Sequence, residues 1–287
     1  IVLTGAHRVP YDSYLGDEVD TTEYIDKVLS DSSSGVDLPA AAIVETIQGE
    51  GGVNYCSMEW LKRLADVCKK HGVLLIVDDI QAGCGRSGRF FSFEEAGIHP
   101  DIVTLSKSLS GYGLPFAMIM LKPKLDQWKP GEHNGTFGGN NHAFVTAKAA
   151  IDTYWSDDSF TESIRKKGDY IAERLDAIVE KYGEGNFTVK GRGMFQGINC
   201  VNGEIANKIT RAAFKKGLII ETSGSDDHVI KLLCPLTISE ETLAKGIDII
   251  EMSVKEVCHK LDGIPESTDY FDDVVLDTEA TNTPEKA

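Results

Sequence analysis

The chain has 287 residues, 41% of them hydrophobic, with 29 basic against 45 acidic residues and a net charge of −16. That is length enough for a sizeable core and two domains, while the acidity, without any clustered Lys/Arg stretch, argues against nucleic acid as a partner. No apolar run approaches a membrane span, and six cysteines standing singly, without a CxxC pair, read as thiols of a reducing compartment, so the cytoplasm is the expected location.

Residues 1–19 form a connector rich in turn residues: Pro10, Asp12 and Gly16. Thr21 or Thr22 is positioned to cap a short helix running to Leu29, and the hydroxyl-rich run Ser30–Gly35 reads as a loop, because such side chains bond their own backbone. Ala41–Ile47 reads as one buried strand that ends in the glycine-rich Gln48-Gly49-Glu50-Gly51-Gly52. Ser57 caps a helix whose apolar positions Leu61, Leu64, Ala65 and Cys68 share a face, and Gly72 closes it. A strand follows at once, which predicts a βαβ unit and a parallel sheet.

Two apolar runs then end in unusual residues. Val73–Val77 stops at Asp78 and Asp79, with Gln81 beyond, and Ile102–Leu105 stops at Ser106 and Lys107. In parallel strands these ends share one sheet edge, where open α/β folds bind ligands. A lysine there suits attack on an aldehyde, and a carboxylate suits a protonated pyridine nitrogen; from spacing alone a structural ion pair accounts for them equally well. Between the runs, Gly83-Cys84-Gly85-Arg86-Ser87-Gly88 is a literal GxGxxG, but an aromatic loop follows it instead of a helix, and Asp78 would repel a pyrophosphate. Asp78, Asp79 and His99 match no metal-ligand spacing.

Phe116–Leu121 reads as a further strand and Gly131–Asn141 as a glycine-rich turn before a helix from His142 to Tyr154, with Thr136 able to hold a phosphate. From residue 159 the pattern becomes that of a small α+β domain: a helix over Phe160–Tyr182, strands at Phe187–Lys190 and Met194–Val201, a helix over Glu204–Lys216, strands at Leu218–Glu221 and His228–Leu233, and a helix capped by Ser239 that runs to Lys260. The expected division is 1–158, 159–264 and an acidic tail, 265–287, with seven acids against one lysine and the composition of a disordered segment.

Four blocks, Glu45-Thr46-Ile47-Gln48-Gly49-Glu50-Gly51-Gly52, Asp78–Gly88, Ser106-Lys107 and Gly135–Asn140, together resemble the class III aminotransferases of fold type I. The likeness runs from about residue 8 to about residue 262. Three phrases, Ser32–Pro39, Ser108–Pro115 and Gly131–Asn134, are similar to a narrower branch whose members move the terminal amine of a diamino acid onto a 2-oxo acid. The resemblance implies an α/β fold, a mainly parallel large-domain sheet followed by the small domain, and pyridoxal 5'-phosphate as cofactor. It implies Lys107 as anchor and proton shuttle, Asp78 at the ring nitrogen, Gln81 at the ring hydroxyl, Thr136 at the phosphate of the other subunit in a homodimer, Glu50 and Lys231 at the substrate, and Glu45 in a supporting place. An ornithine- or 4-aminobutyrate-type enzyme, or a catalytically incomplete fragment, are the alternatives.

Two departures from the family pattern stand out. The segment that would precede this chain, with the loop around the cofactor phosphate and an aromatic over the ring, has no counterpart here, so the chain reads as the C-terminal two-thirds of such an enzyme. Lys231, in Val229-Ile230-Lys231-Leu232-Leu233, stands where many members carry an arginine, giving a point charge in place of a planar fork.

Overall fold

The computed structural model describes residues 5–135, 138–183 and 186–261. Thr136 and the acidic stretch 265–287 lie outside the described residues. Asp20, one residue ahead of the two expected threonines, caps α1 (Thr21–Ser30) by accepting from the Thr22 amide. Helix α2 (Met58–His71) has the expected ends: Ser57 accepts from the Trp60 amide, and Gly72 takes the left-handed conformation at φ +70°.

The expected strand over 41–47 is broken. β1 (Ala41–Glu45) ends before Thr46, and β2 (Ile47–Gln48) turns away to pair antiparallel with β3 (Asn54–Tyr55). The break is fixed by distant groups: the buried Thr46 hydroxyl donates to Ser92 Oγ at 2.6 Å, and the Thr46 carbonyl accepts from the Cys56 amide and the Tyr11 hydroxyl. β4 (Leu74–Asp78) lies between β1 and β5 (Ile102–Leu105), parallel to both, and β6 (Met118–Leu121) closes the order β1-β4-β5-β6 antiparallel to β5. α1 and α2 cover this sheet through Ile25, Trp60, Leu61 and Leu64, packed on Val44, Leu75, Val77 and Val103. Burying apolar side chains at ~25 cal/mol per Å² makes this layer a main stabilising contribution to the first half of the chain.

After α3 (Asn141–Tyr154) and the long α4 (Ser159–Tyr182), a second sheet forms in the order β7-β8-β10-β9, with β7 (Thr188–Arg192), β8 (Phe195–Asn199), β9 (Glu221–Ser223) and β10 (Val229–Leu232), every neighbour antiparallel. The expected strand at 218–221 is displaced to β9, because register with Val229–Lys231 selects residues 221–223, while Ile219 stays 86% exposed. Helix α4 packs with α5 (Gly203–Lys215) and α6 (Glu240–Leu261) around Ile171, Leu175, Ile198, Ile209 and Ile247.

The glycine-rich segment 83–88 joins the two halves. Gly193, in the turn between β7 and β8 at φ +60°, lies so close to it that a Cβ would come within 2.5 Å of the Ser87 carbonyl carbon. Met194 donates its amide to the Arg86 carbonyl, and Arg192 reaches back to the Ser92 carbonyl at 2.6 Å. No nucleotide-binding helix opens on these glycines; a loop and a 3₁₀ turn at Glu94–Ala96 follow.

Asp79 anchors the same loop from beneath. It is wholly buried, its Oδ2 accepts from the Ser92 amide at 3.0 Å and its Oδ1 has no partner. Burial pushes its carboxyl from 3.8 up to about 6. An acid whose folded value is raised stabilises the fold less once it ionises: the penalty is absent below its unfolded value of 3.8 and complete above about 6. Two units correspond to about 3 kcal/mol at most. The urea midpoint is therefore expected to fall between about pH 4 and about pH 6, and to fall less in Asp79→Asn. Equal slopes in the two proteins would exclude Asp79 as the source.

Candidate active site

The register of the first sheet sets Glu45 beside Asp78 and Asp78 beside Thr104 at the C-terminal ends of β1, β4 and β5. Each carboxylate is used locally: Asp78 Oδ1 accepts from the Ile80 amide at 3.1 Å, and Glu45 Oε2 from the Gly49 amide at 3.2 Å. Asp78 is half-buried on the central strand, able to face a ligand above the edge while its turn stays fixed. Lys107 follows β5 by two residues, opens a 3₁₀ turn at φ +48° and is exposed. A non-glycine residue in that conformation carries strain, which here lifts the lysine off the strand end.

Electrostatics gather the expected residues into one neighbourhood. Burial raises the Glu45 carboxyl; the Gly49 amide opposes this, Asp78 and Glu50 add to it, and Lys107 counters it. Glu50 is held below its ordinary value chiefly by the hydrogen bond from Lys231, with Gln81 and Lys107 contributing. Gln81 lies over Gly49 so closely that a Cβ there would sit 1.6 Å from its Oε1, so any larger residue at that position would displace the Gln81 amide. Lys231, on β10 of the second sheet, has a fully buried side chain whose amine meets Glu50 Oε1 at 2.8 Å and Glu221 Oε1 at 3.2 Å. Thus Glu45 and Asp78 stand at the C-terminal ends of β1 and β4, Lys107 lies just beyond β5, Glu50 and Gln81 lie in the turns that follow β2 and β4, and Lys231 reaches Glu50 from the second sheet, whereas Thr136 lies outside the described residues.

Glu221 was not legible in the sequence. It stands ten positions from Lys231, and only the pairing of β9 with β10 makes the two neighbours. Arg86 was read only as part of a glycine motif. It is 8% exposed and donates to the carbonyls of Cys234 at 2.6 Å and Met194 at 3.4 Å. Both Arg86 and Lys107 line a cavity of about 360 Å³ with Phe90, Trp155, Pro235 and Thr237, where the two halves of the chain meet.

The donor set fits pyridoxal phosphate. A half-buried carboxylate, an amide and an exposed lysine amine lie at or just beyond one sheet edge, and the cavity of about 360 Å³ touches this set at Lys107, with neither Asp78 nor Gln81 in its lining. An amine, an acid and a hydrogen-bonding amide are the functions that the cofactor's aldehyde, ring nitrogen and ring hydroxyl require.

The chain is similar to known proteins over most of its length. The chain is 56% identical over 253 residues to the diaminobutyrate–2-oxoglutarate transaminase of Halomonas elongata, covering 88% of this chain and 60% of that protein. It is 53% identical over 258 residues to the enzyme of the same name from Vibrio parahaemolyticus, covering 90% and 61%. Among solved structures, the ornithine aminotransferase of Plasmodium yoelii superposes with a TM-score of 0.73 at 30% identity, over 83% of this chain and 61% of that one. The acetylornithine aminotransferase of Elizabethkingia anophelis gives 0.70 at 33% identity, over 81% and 60%. The chain thus spans about 60% of the length of the relatives it matches. Residues 3–254 match the family Aminotransferase class-III, and with its mostly parallel first sheet the chain belongs to that family of fold type I, pyridoxal-phosphate-dependent enzymes.

Proposed function

We propose that the protein carrying this chain transfers the terminal amino group of L-2,4-diaminobutyrate to 2-oxoglutarate, giving L-aspartate 4-semialdehyde and L-glutamate, a step of ectoine biosynthesis. The observation that carries the reading is that Lys107 and Asp78 end adjacent parallel strands while the buried Lys231 amine pairs with Glu50, in a chain 56% identical to a protein named for this reaction. Pyridoxal phosphate, when bound, supplies an aldehyde and an electron-accepting ring. Lys107 provides the amine that holds it and then moves a proton at the substrate carbon, a task for which an exposed, conformationally fixed lysine is suited. Asp78 keeps the ring nitrogen protonated, Gln81 hydrogen-bonds the ring hydroxyl, and Thr136 binds the phosphate. Glu45 orients the Gly49 turn on which Gln81 rests.

Lys231 receives a substrate carboxylate. Glu50 and Glu221 neutralise its buried charge when no carboxylate is bound, and an entering 2-oxo acid competes with them. Large and small domains divide near residue 158, with the reacting groups between them. A homodimer completes the reading, because Thr136 is assigned to the cofactor phosphate of the other subunit. A cytoplasmic place is consistent with the buried thiols of Cys56, Cys68, Cys84 and Cys200 and with the finding that, among the described residues, no helix is long and apolar enough to cross a membrane.

A coupled glutamate-release assay with 2-oxoglutarate and a panel of donors tests the substrate. The expected result is a kcat/KM for L-2,4-diaminobutyrate above those for ornithine and 4-aminobutyrate by about tenfold or more, the scale of discrimination that one methylene provides in a shaped pocket. Preference for ornithine or 4-aminobutyrate would move the protein to another branch of the family.

A further inference from the structure

Two buried cations hold one wall of the Lys107 cavity, and the reaction as proposed uses neither. The segment after β10, residues 234–238, is neither helix nor strand, and its Pro235, Leu236 and Thr237 line that cavity. Its carbonyls point at positive charge. Arg86 Nη1 donates to the Cys234 carbonyl at 2.6 Å, and Lys167 Nζ donates to those of Leu236 at 2.7 Å and Ile238 at 3.2 Å. Arg86 is 8% and Lys167 7% exposed, and their side-chain hydrogen bonds among the described residues go to backbone carbonyls.

Carbonyl dipoles compensate a desolvated cation less completely than a carboxylate does. Burial accordingly lowers the Arg86 and Lys167 pKa values. Filling a gap behind a loop would need only apolar side chains. Cations from the glycine-rich segment and from α4 converge instead on three carbonyls of a five-residue stretch that begins three positions beyond Lys231. Through Arg86, which follows Gln81 by five residues, the stretch is tied to the segment that rests against Glu50.

We propose that Arg86 and Lys167 are positioning residues that fix the 234–238 wall against Lys107 through cation–carbonyl hydrogen bonds, and that this wall sets the fit of the anionic 2-oxo acid. The functional half of the proposal rests on the transaminase reading above. The mechanical half does not.

The test compares Arg86→Met, Lys167→Met and Lys167→Arg in the cofactor-loaded protein, by amide hydrogen exchange and by steady-state kinetics with 2-oxoglutarate. The Ile238 amide donates to the Pro235 carbonyl at 3.0 Å and reports the state of the wall. In both Met variants its exchange is expected to quicken about tenfold or more. KM for 2-oxoglutarate is expected to rise about tenfold, with kcat and the cofactor absorption band retained within about threefold, the pattern of lost binding rather than lost chemistry. Lys167→Arg, which keeps a cation and donors, should restore both values. Unchanged Ile238 exchange in both Met variants overturns the clamp, and quickened exchange with unchanged KM overturns its role in substrate fit. If Arg86→Met does not fold, the Lys167 pair decides. If the wild-type protein does not transaminate at all, the proposed function falls, while the exchange measurement still reads the clamp.

Discussion

Replacing Lys107 with alanine is expected to abolish the visible absorption band of lysine-bound pyridoxal phosphate and to lower kcat by at least about 10⁴-fold, because one side chain is assigned both the covalent anchor and the proton transfer. The fold should be indifferent to the change. Lys107 is exposed, and among the described residues no hydrogen bond of its amine supports the surrounding structure. Its turn is held by others: Ser106 Oγ donates to the Phe116 carbonyl at 2.6 Å, and the Leu109 amide to the Ser106 carbonyl at 3.0 Å. Removing a side chain at φ +48° costs little there, since alanine meets the same backbone restriction. Equal thermal midpoints with a vanished band would therefore assign the loss to chemistry. A band that survives in Lys107→Ala would mean that another amine holds the cofactor.

The placement of Lys107 near Asp78 was legible early because β4 and β5 are simple objects. Each is a short apolar run whose last residues are polar, and parallel pairing brings those ends together whatever the remainder of the chain does. Ser57 and Gly72 could be read for the same reason: a cap acts within one turn of its own helix. Elements governed by distant partners were not so legible. The strand through Thr46 breaks because Ser92, Cys56 and Tyr11 take its polar groups, and nothing local in Ala41–Ile47 announces that. β9 begins three residues later than its apolar pattern predicts, since its register is decided by β10. The candidate site divides in the same way. The carboxylate, amide and lysine of the first sheet edge follow from motifs, whereas Glu221 and the contacts of Arg86 and Lys167 emerge only once β9 pairs with β10 and the segment after β10 packs on the first half of the chain.

Lys231 shows what such pairing contributes. Its side chain is 0% exposed, yet its two partners, Glu50 and Glu221, are 78% and 64% exposed. This asymmetry makes the site changeable without loss of the fold: in Lys231→Met the apolar stem is kept, and both carboxylates are left in contact with water, where an unpaired charge costs little. What disappears is the cation that an incoming carboxylate would meet in a desolvated setting. Truncating one member of a buried charge pair costs about 2–5 kcal/mol, so kcat/KM for 2-oxoglutarate should fall on the order of 100-fold, mainly through KM, with the thermal midpoint and the cofactor band retained. Lys231→Arg should bind the acceptor at least as well, because the planar fork engages both oxygens. Glu50→Gln, which removes a competitor for the amine while Glu221 keeps it paired, should lower KM for 2-oxoglutarate. An unchanged KM in Lys231→Met would remove the carboxylate-binding role and leave the Glu50–Lys231–Glu221 cluster as a purely structural tie between the second sheet and the glycine-rich turn at Gly49–Gly52.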